Sequence, residues 1–171
     1  PDWELAAERL GHVLAAHPEA FADKSRFSMD WYYPVLGGAV RGRAAQERLA
    51  AGWDTFVVPG LGVRCVSDQP WVTAAETCEL VLTLDAIGDR ARAVRLFTEV
   101  QHLRRPDGSY WTGWQFVHRR HFPHEWAAYT AAAVVLAADA LTGTTGGSGL
   151  FRTTARPAGP ALEARVRSLG D

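Results

Sequence analysis

A-V-R-L-F-T-E-V-Q-H-L-R-R-P-D-G-S-Y-W, residues 93–111, is the stretch whose reading decides the fold expected of this chain. Ala93, Leu96, Phe97, Val100 and Leu103 recur at helical spacing, and Arg92, Arg95, Glu99 and His102 occupy the positions between them. Residues 89–103 therefore read as a helix with one apolar face. A glycine turn crowded with aromatic residues follows. Beyond it, residues 126–141 are apolar and Ala-rich on most sides.

Working outward, two kinds of helix alternate. Residues 3–16 (Leu5, Leu10, Val13 and Leu14 set against Glu4, Glu8 and Arg9) and residues 43–53 (Ala45, Leu49, Trp53) are one-sided, like residues 89–103. Residues 71–87 and 126–141 are apolar on most sides, and each ends at a glycine, Gly88 or Gly143, suited to a helix C-terminus. Residues 29–38 read as a shorter relative. A helix apolar all round is one covered by neighbours, so an outer and an inner layer are expected.

The inner candidates repeat at about 55 residues, with Trp71 against Trp126, Asp85 against Asp139 and Gly88 against Gly143. Leu49, Trp53 and Gly60 echo Phe97, Gln101 and Gly108 more faintly. Residues 56–67 have β-prone runs on both sides of Pro59-Gly60, a small hairpin connector, and residues 111–121 correspond to it in the next unit. The expected division is a helical domain over 1–143 and an irregular tail over 144–171 ending in a short helix at 161–169.

With 171 residues the chain suits about one domain. Its 18 basic and 19 acidic residues are spread along it for a net charge of -1, so no basic face for nucleic acid is expected. The two cysteines, Cys65 and Cys78, fit a reducing compartment, and a cytoplasmic location is the expectation. No apolar run reaches the ~18–20 residues of a transmembrane segment, and no signal peptide is read. The chain opens on Pro1, which reads as a fragment or a processed form.

The spacing of Phe97, Gln101, Gly108, Tyr110 and Trp111 resembles the QW repeat of squalene and oxidosqualene cyclases. The alternation of helices over residues 30–143 looks like the α/α toroid shared by terpenoid cyclases, protein prenyltransferases and six-hairpin glycosidases. Within that group the chain is similar to actinobacterial proteins labelled prenyltransferase-like. The resemblance implies an all-α fold of about three helical hairpins, a partial α/α toroid with short β-hairpin connectors. It also implies that the other half of the ring comes from a homodimer partner or a missing segment.

In such a ring the N-terminal ends of the inner helices surround the cavity, where helix dipoles and free N–H groups suit anions. That places Asp30, Trp31, Tyr32, Asp68, Trp71, Trp114, His124, Glu125, Trp126 and Tyr129 among the candidate ligand-binding residues. Glu76 is the candidate catalytic acid. It shares a stripe with Val72, Glu79, Thr83 and Ala86, and burial there would raise its pKa, whereas a stripe left open would simply be solvated. The tryptophans read equally as cavity walls and as packing.

Cys65, Asp68, Glu76, Cys78, His121 and His124 only loosely approach the Asp, Cys and His zinc set of protein prenyltransferases, so no metal is assigned. No cofactor is named either. The D-x-D-D and D-D-x-x-D runs of cyclase chemistry are missing, as are G-x-S-x-G, the P-loop and G-x-G-x-x-G.

The function expected from the resemblance is binding or transformation of an isoprenoid-like or other apolar ligand, with Glu76 as acid, tryptophan walls, and His124 and Glu125 as anchors. Two alternatives stand beside it. One is a six-hairpin carbohydrate-active enzyme using Asp30, Glu76 and Glu125 with tryptophans stacked on sugars. The other is a non-catalytic helical-repeat module that docks a partner or completes its ring by dimerising, a dimer that would bury the face of residues 131–138.

Overall fold

The computed structural model describes residues 2–152. Their α-helices are α1 (Asp2–Ala16), α2 (Ser28–Leu36), α3 (Gly42–Phe56), α4 (Ala74–Ala86), α5 (Arg90–Glu99) and α6 (Ala128–Thr142). The strands are β1 (Val57–Val58), β2 (Gly62–Arg64), β3 (Trp71–Thr73), β4 (Gly113–Gln115) and β5 (Arg120–His121). Short 3-10 turns occupy Pro18–Ala20, Val100–Leu103 and Leu150–Arg152. The short helix expected at 161–169 lies outside the described residues.

The all-α toroid is corrected by the sheet. Its five strands run antiparallel in the order β1-β2-β3-β4-β5, a meander in chain order. The two connectors expected as separate hairpins are joined into one sheet by β3, which pairs with β2 (Val63 with Thr73) and with β4 (Val72 with Trp114). Residues 71–73 were expected to begin a helix. Trp71, Val72 and Thr73 are aromatic or β-branched and fit a pleated, half-buried surface better. The helix starts only at Ala74, whose N–H donates to the Thr112 carbonyl at 3.0 Å.

At Gly113 the ladder tolerates no side chain. A Cβ there would sit 2.6 Å from the Val72 carbonyl oxygen and 2.9 Å from that of Phe122.

α4 is the central element, packed against α2, α5, α6 and β2. Residues 74–85 are all buried, and Leu80, Val81 and Leu84 are fully so. Each such aliphatic side chain contributes about 1.5–3 kcal/mol through burial. Thr77 ties helix to sheet: its hydroxyl donates to the Thr73 carbonyl at 2.6 Å and accepts from the Val63 N–H at 2.9 Å. α5 is a one-sided helix whose Ala93 and Leu96 are buried, and its N-cap Asp89 accepts from the Arg92 N–H. At the far end of α4, Asp85 accepts both bonds of the Arg152 guanidinium at 2.7 and 2.9 Å.

Two helices depart from the layers expected of them. α6 is buried on one side only, through Thr130, Ala133, Val134, Ala137, Ala140 and Leu141, while Val135 is 65% and Leu136 47% exposed. α1 buries none of its residues. No helix of the described residues is long and apolar enough to cross a membrane.

Candidate functional site

Glu76 and Glu79 stand one turn apart on α4, both only 9% exposed. α2 brings Tyr32 and Tyr33 to them, and the first turn of α6 brings Tyr129. The Tyr32 hydroxyl donates to Glu79 Oε2 at 2.5 Å and the Tyr33 hydroxyl to Oε1 at 3.2 Å. Tyr129 also donates to Oε1. Three phenols therefore converge on one carboxylate from two helices distant in sequence.

Burial raises the pKa of all three phenols, and the negative charge of Glu79 raises it further. They remain donors throughout the neutral range. Cys65, the residue after β2, hydrogen-bonds Glu76; burial first, and the carboxylate second, push its thiol up to about 12. A thiol so held is a poor nucleophile near neutrality. Glu76 has this neutral thiol beside it, whereas both oxygens of Glu79 are engaged by tyrosines. The arrangement makes Glu79 the hub that fixes the tyrosines.

Beside this cluster lies an aromatic platform. The carbonyl of Glu125 accepts from the Thr112 N–H at 3.0 Å, and the Thr112 carbonyl accepts from the first residue of α4, so the starts of α4 and α6 are drawn to one end of the molecule. There Trp111 stacks on His121 (centroids 4.5 Å apart), lies 4.8 Å from His124 and meets Trp126 edge to face at 5.4 Å. The Arg105 guanidinium lies 4.8 Å from the Trp111 ring centre and 4.2 Å from that of Trp126. Trp126 is 55% exposed. Burial and its neighbours His124 and His102 hold the His121 imidazole below its usual pKa.

The remaining expected site residues divide between this end and the framework. Trp71 meets Phe122 edge to face at 5.4 Å, and Trp114 meets His121 at 5.2 Å. Glu125 and His124 are exposed beside the platform. Trp31 is framework: its indole N–H donates to the Arg48 carbonyl at 2.8 Å, and its ring stacks on Phe56. The Asp30 carbonyl accepts from Arg48, and the residue lines the groove between α1 and α2. Asp68 is exposed and pairs with Arg26 through bonds of 2.9 and 3.0 Å. Among the described residues no three His, Cys, Asp or Glu side chains gather as a metal set.

Sequence reasoning missed Tyr33 and the part played by Glu79. The available signal was a pair of carboxylates at i, i+3 on an otherwise apolar helix, a costly placement unless hydrogen-bond donors meet it.

No protein-family model matches this chain. It is 59% identical over 159 residues to a protein of Mycolicibacterium hassiacum named MMP endo-(1,4)-3-O-methyl-alpha-D-mannosidase. That match takes in 93% of this chain and 44% of the relative, so the chain spans less than half of the relative's length. The relative is by name a glycoside hydrolase.

This finding overturns the prenyltransferase and terpenoid-cyclase resemblance, and with it the isoprenoid ligand. The local geometry gives the reason that the QW spacing misled. Gln101 donates to the Phe97 carbonyl at 2.8 Å and accepts from the Tyr110 hydroxyl at 2.5 Å, so it closes its own turn. Trp111 stacks on a histidine of the next connector, with no glutamine of a second repeat against it.

Proposed function

We propose that this chain forms part of a glycoside hydrolase acting within an α-1,4-linked, 3-O-methylated mannose chain. The observation that carries the reading is its 59% identity to a protein named for that activity. Glu76 is the proton donor to the departing glycosidic oxygen, and Asp30 and Glu125 are the candidates for the opposing carboxyl that cleavage requires. Glu79 is a positioning residue, holding the Tyr33 and Tyr129 rings at the edge of the site. Trp126, propped by Trp111 and Arg105, offers an aromatic face against which a sugar ring can stack. Trp71 and Trp114 extend the aromatic surface, and His124 supplies an exposed polar edge.

The cytoplasm, where both thiols stay reduced, is the proposed location. Residues 1–143 form the proposed folded domain, with 144–171 as its tail.

The test is incubation of the native-length protein with α-1,4-linked 3-O-methylmannose oligosaccharides, the products being weighed by mass spectrometry. Fragments from internal cleavage are expected. Intact oligosaccharide after prolonged incubation with a folded protein would overturn the reading.

A further inference from the structure

We infer that the rings of Tyr33 and Tyr129 form a sugar subsite that selects 3-O-methylated mannose over unmethylated mannose, a role that rests on the mannosidase reading above and gives its site a basis for specificity.

Tyr33 is 42% and Tyr129 54% exposed, yet both hydroxyls end on Oε1 of the buried Glu79. What each residue shows to solvent is therefore its ring. A shared acceptor brings the two rings together although they come from α2 and α6. Tyr33 is steadied further by the fully buried Tyr32, which meets it edge to face at 5.2 Å and donates to the other oxygen of Glu79. Fixing both rings in advance removes ordering that a bound sugar would otherwise have to impose.

The pair lies between the other parts of the site. Trp126 stands three residues before Tyr129, at the same end of α6. Tyr33 shares the lining of the groove between α1 and α2 with Asp30. A sugar chain that starts on Trp126 and reaches the Asp30 groove crosses both tyrosine rings.

An exposed tyrosine ordinarily offers its hydroxyl to a sugar. Here both hydroxyls are spent on Glu79, so the rings meet the sugar with carbon alone. A free 3-hydroxyl pressed against them gives up water and finds no partner. A methyl ether has no proton to satisfy, and it buries its methyl group against aromatic carbon. The preference thus comes from what the rings withhold as much as from what they contact.

The test measures, by calorimetry, binding of two α-1,4-linked mannose oligosaccharides of equal length to the native-length protein, one 3-O-methylated and one unmethylated, and follows their cleavage by mass spectrometry. The methylated sugar is expected to bind about tenfold tighter or more. Tyr33→Gln and Tyr129→Gln replace the ring by an amide that can still donate, and are expected to bring the two affinities close together, mainly by weakening the methylated sugar. Tyr33→Phe and Tyr129→Phe keep the ring carbon and are expected to hold the preference. Thermal melts establish that each variant folds. Where a glutamine variant does not, NMR of the unmutated protein replaces it: the ring resonances of Tyr33 and Tyr129 are expected to shift with the methylated sugar, and unmoved resonances would overturn the inference.

Equal affinity for the two sugars, or a preference that survives both glutamine variants, would overturn it. A preference lost as fully with phenylalanine as with glutamine would place the selectivity in the hydroxyls and overturn it too. Selective binding without cleavage would keep this inference and sink the mannosidase reading, cleavage without selectivity would do the reverse, and binding of neither sugar would sink both.

Discussion

Tyr32 reports on the site most simply, because its ring is fully buried and its hydroxyl ends on Glu79. Tyr32→Phe leaves a buried carboxylate oxygen short of a donor and is expected to cost about 1–3 kcal/mol in urea unfolding. The same phenol sets an alkaline limit. Its folded pKa lies above the ordinary value of 10.0, so folded and unfolded chains are equally protonated below pH 10. Above it the unfolded chain loses the proton first, and stability falls as pH rises. Melts at pH 8 and pH 11 should show the fall, and Tyr32→Phe should make it shallower. Cys65, with its thiol near 12, is expected to react with iodoacetamide at pH 8 at least tenfold more slowly in the folded protein than in urea. At this scale the sequence disclosed the polar residues at helix beginnings, Glu76 and Tyr129 among them. It did not disclose that Tyr32, Tyr33 and Tyr129 meet on Glu79, because no periodicity reports a contact between α2, α4 and α6.

The elements show where a strong pattern misleads. The one-sided apolar periodicity located α5, and the long apolar stretches located α4 and α6, within a few residues. The two hairpin connectors were expected, but their union into one sheet escaped, because β3 is only three residues long and continues directly into α4. α6 was read as sheathed from its composition, which describes what the helix can bury and says nothing of what covers it here. Gly52 supplies a prediction at this level. Alanine there would favour helix by about 1 kcal/mol, but its Cβ would lie 2.5 Å from the Trp31 indole nitrogen. Gly52→Ala is therefore expected to lower stability by about 1–3 kcal/mol, measured by thermal melt. Gly113→Ala should be worse, since the obstacles there are two backbone carbonyls rather than a side chain that can turn.

For the molecule as a whole, the aromatic and carboxylate inventory was legible in the sequence, but the ligand class was not. Tryptophans beside carboxylates serve a carbocation and a sugar equally well, and only the relative's name separates them. The proposed reading gives each group separate work, with Trp126 holding the chain and Glu76 acting on the bond. Trp126→Ala is expected to raise KM severalfold with kcat little changed, the mark of lost binding that ground and transition states share. Glu76→Gln keeps the shape of the site and removes the proton donor. The decisive measurement takes one α-1,4-linked 3-O-methylmannose oligosaccharide and follows its binding and its cleavage by the native-length protein and by Glu76→Gln. Both proteins are expected to bind it with similar affinity, and cleavage by Glu76→Gln to fall by about 100-fold or more. Full-rate cleavage by Glu76→Gln, or no binding by either protein, would contradict the account.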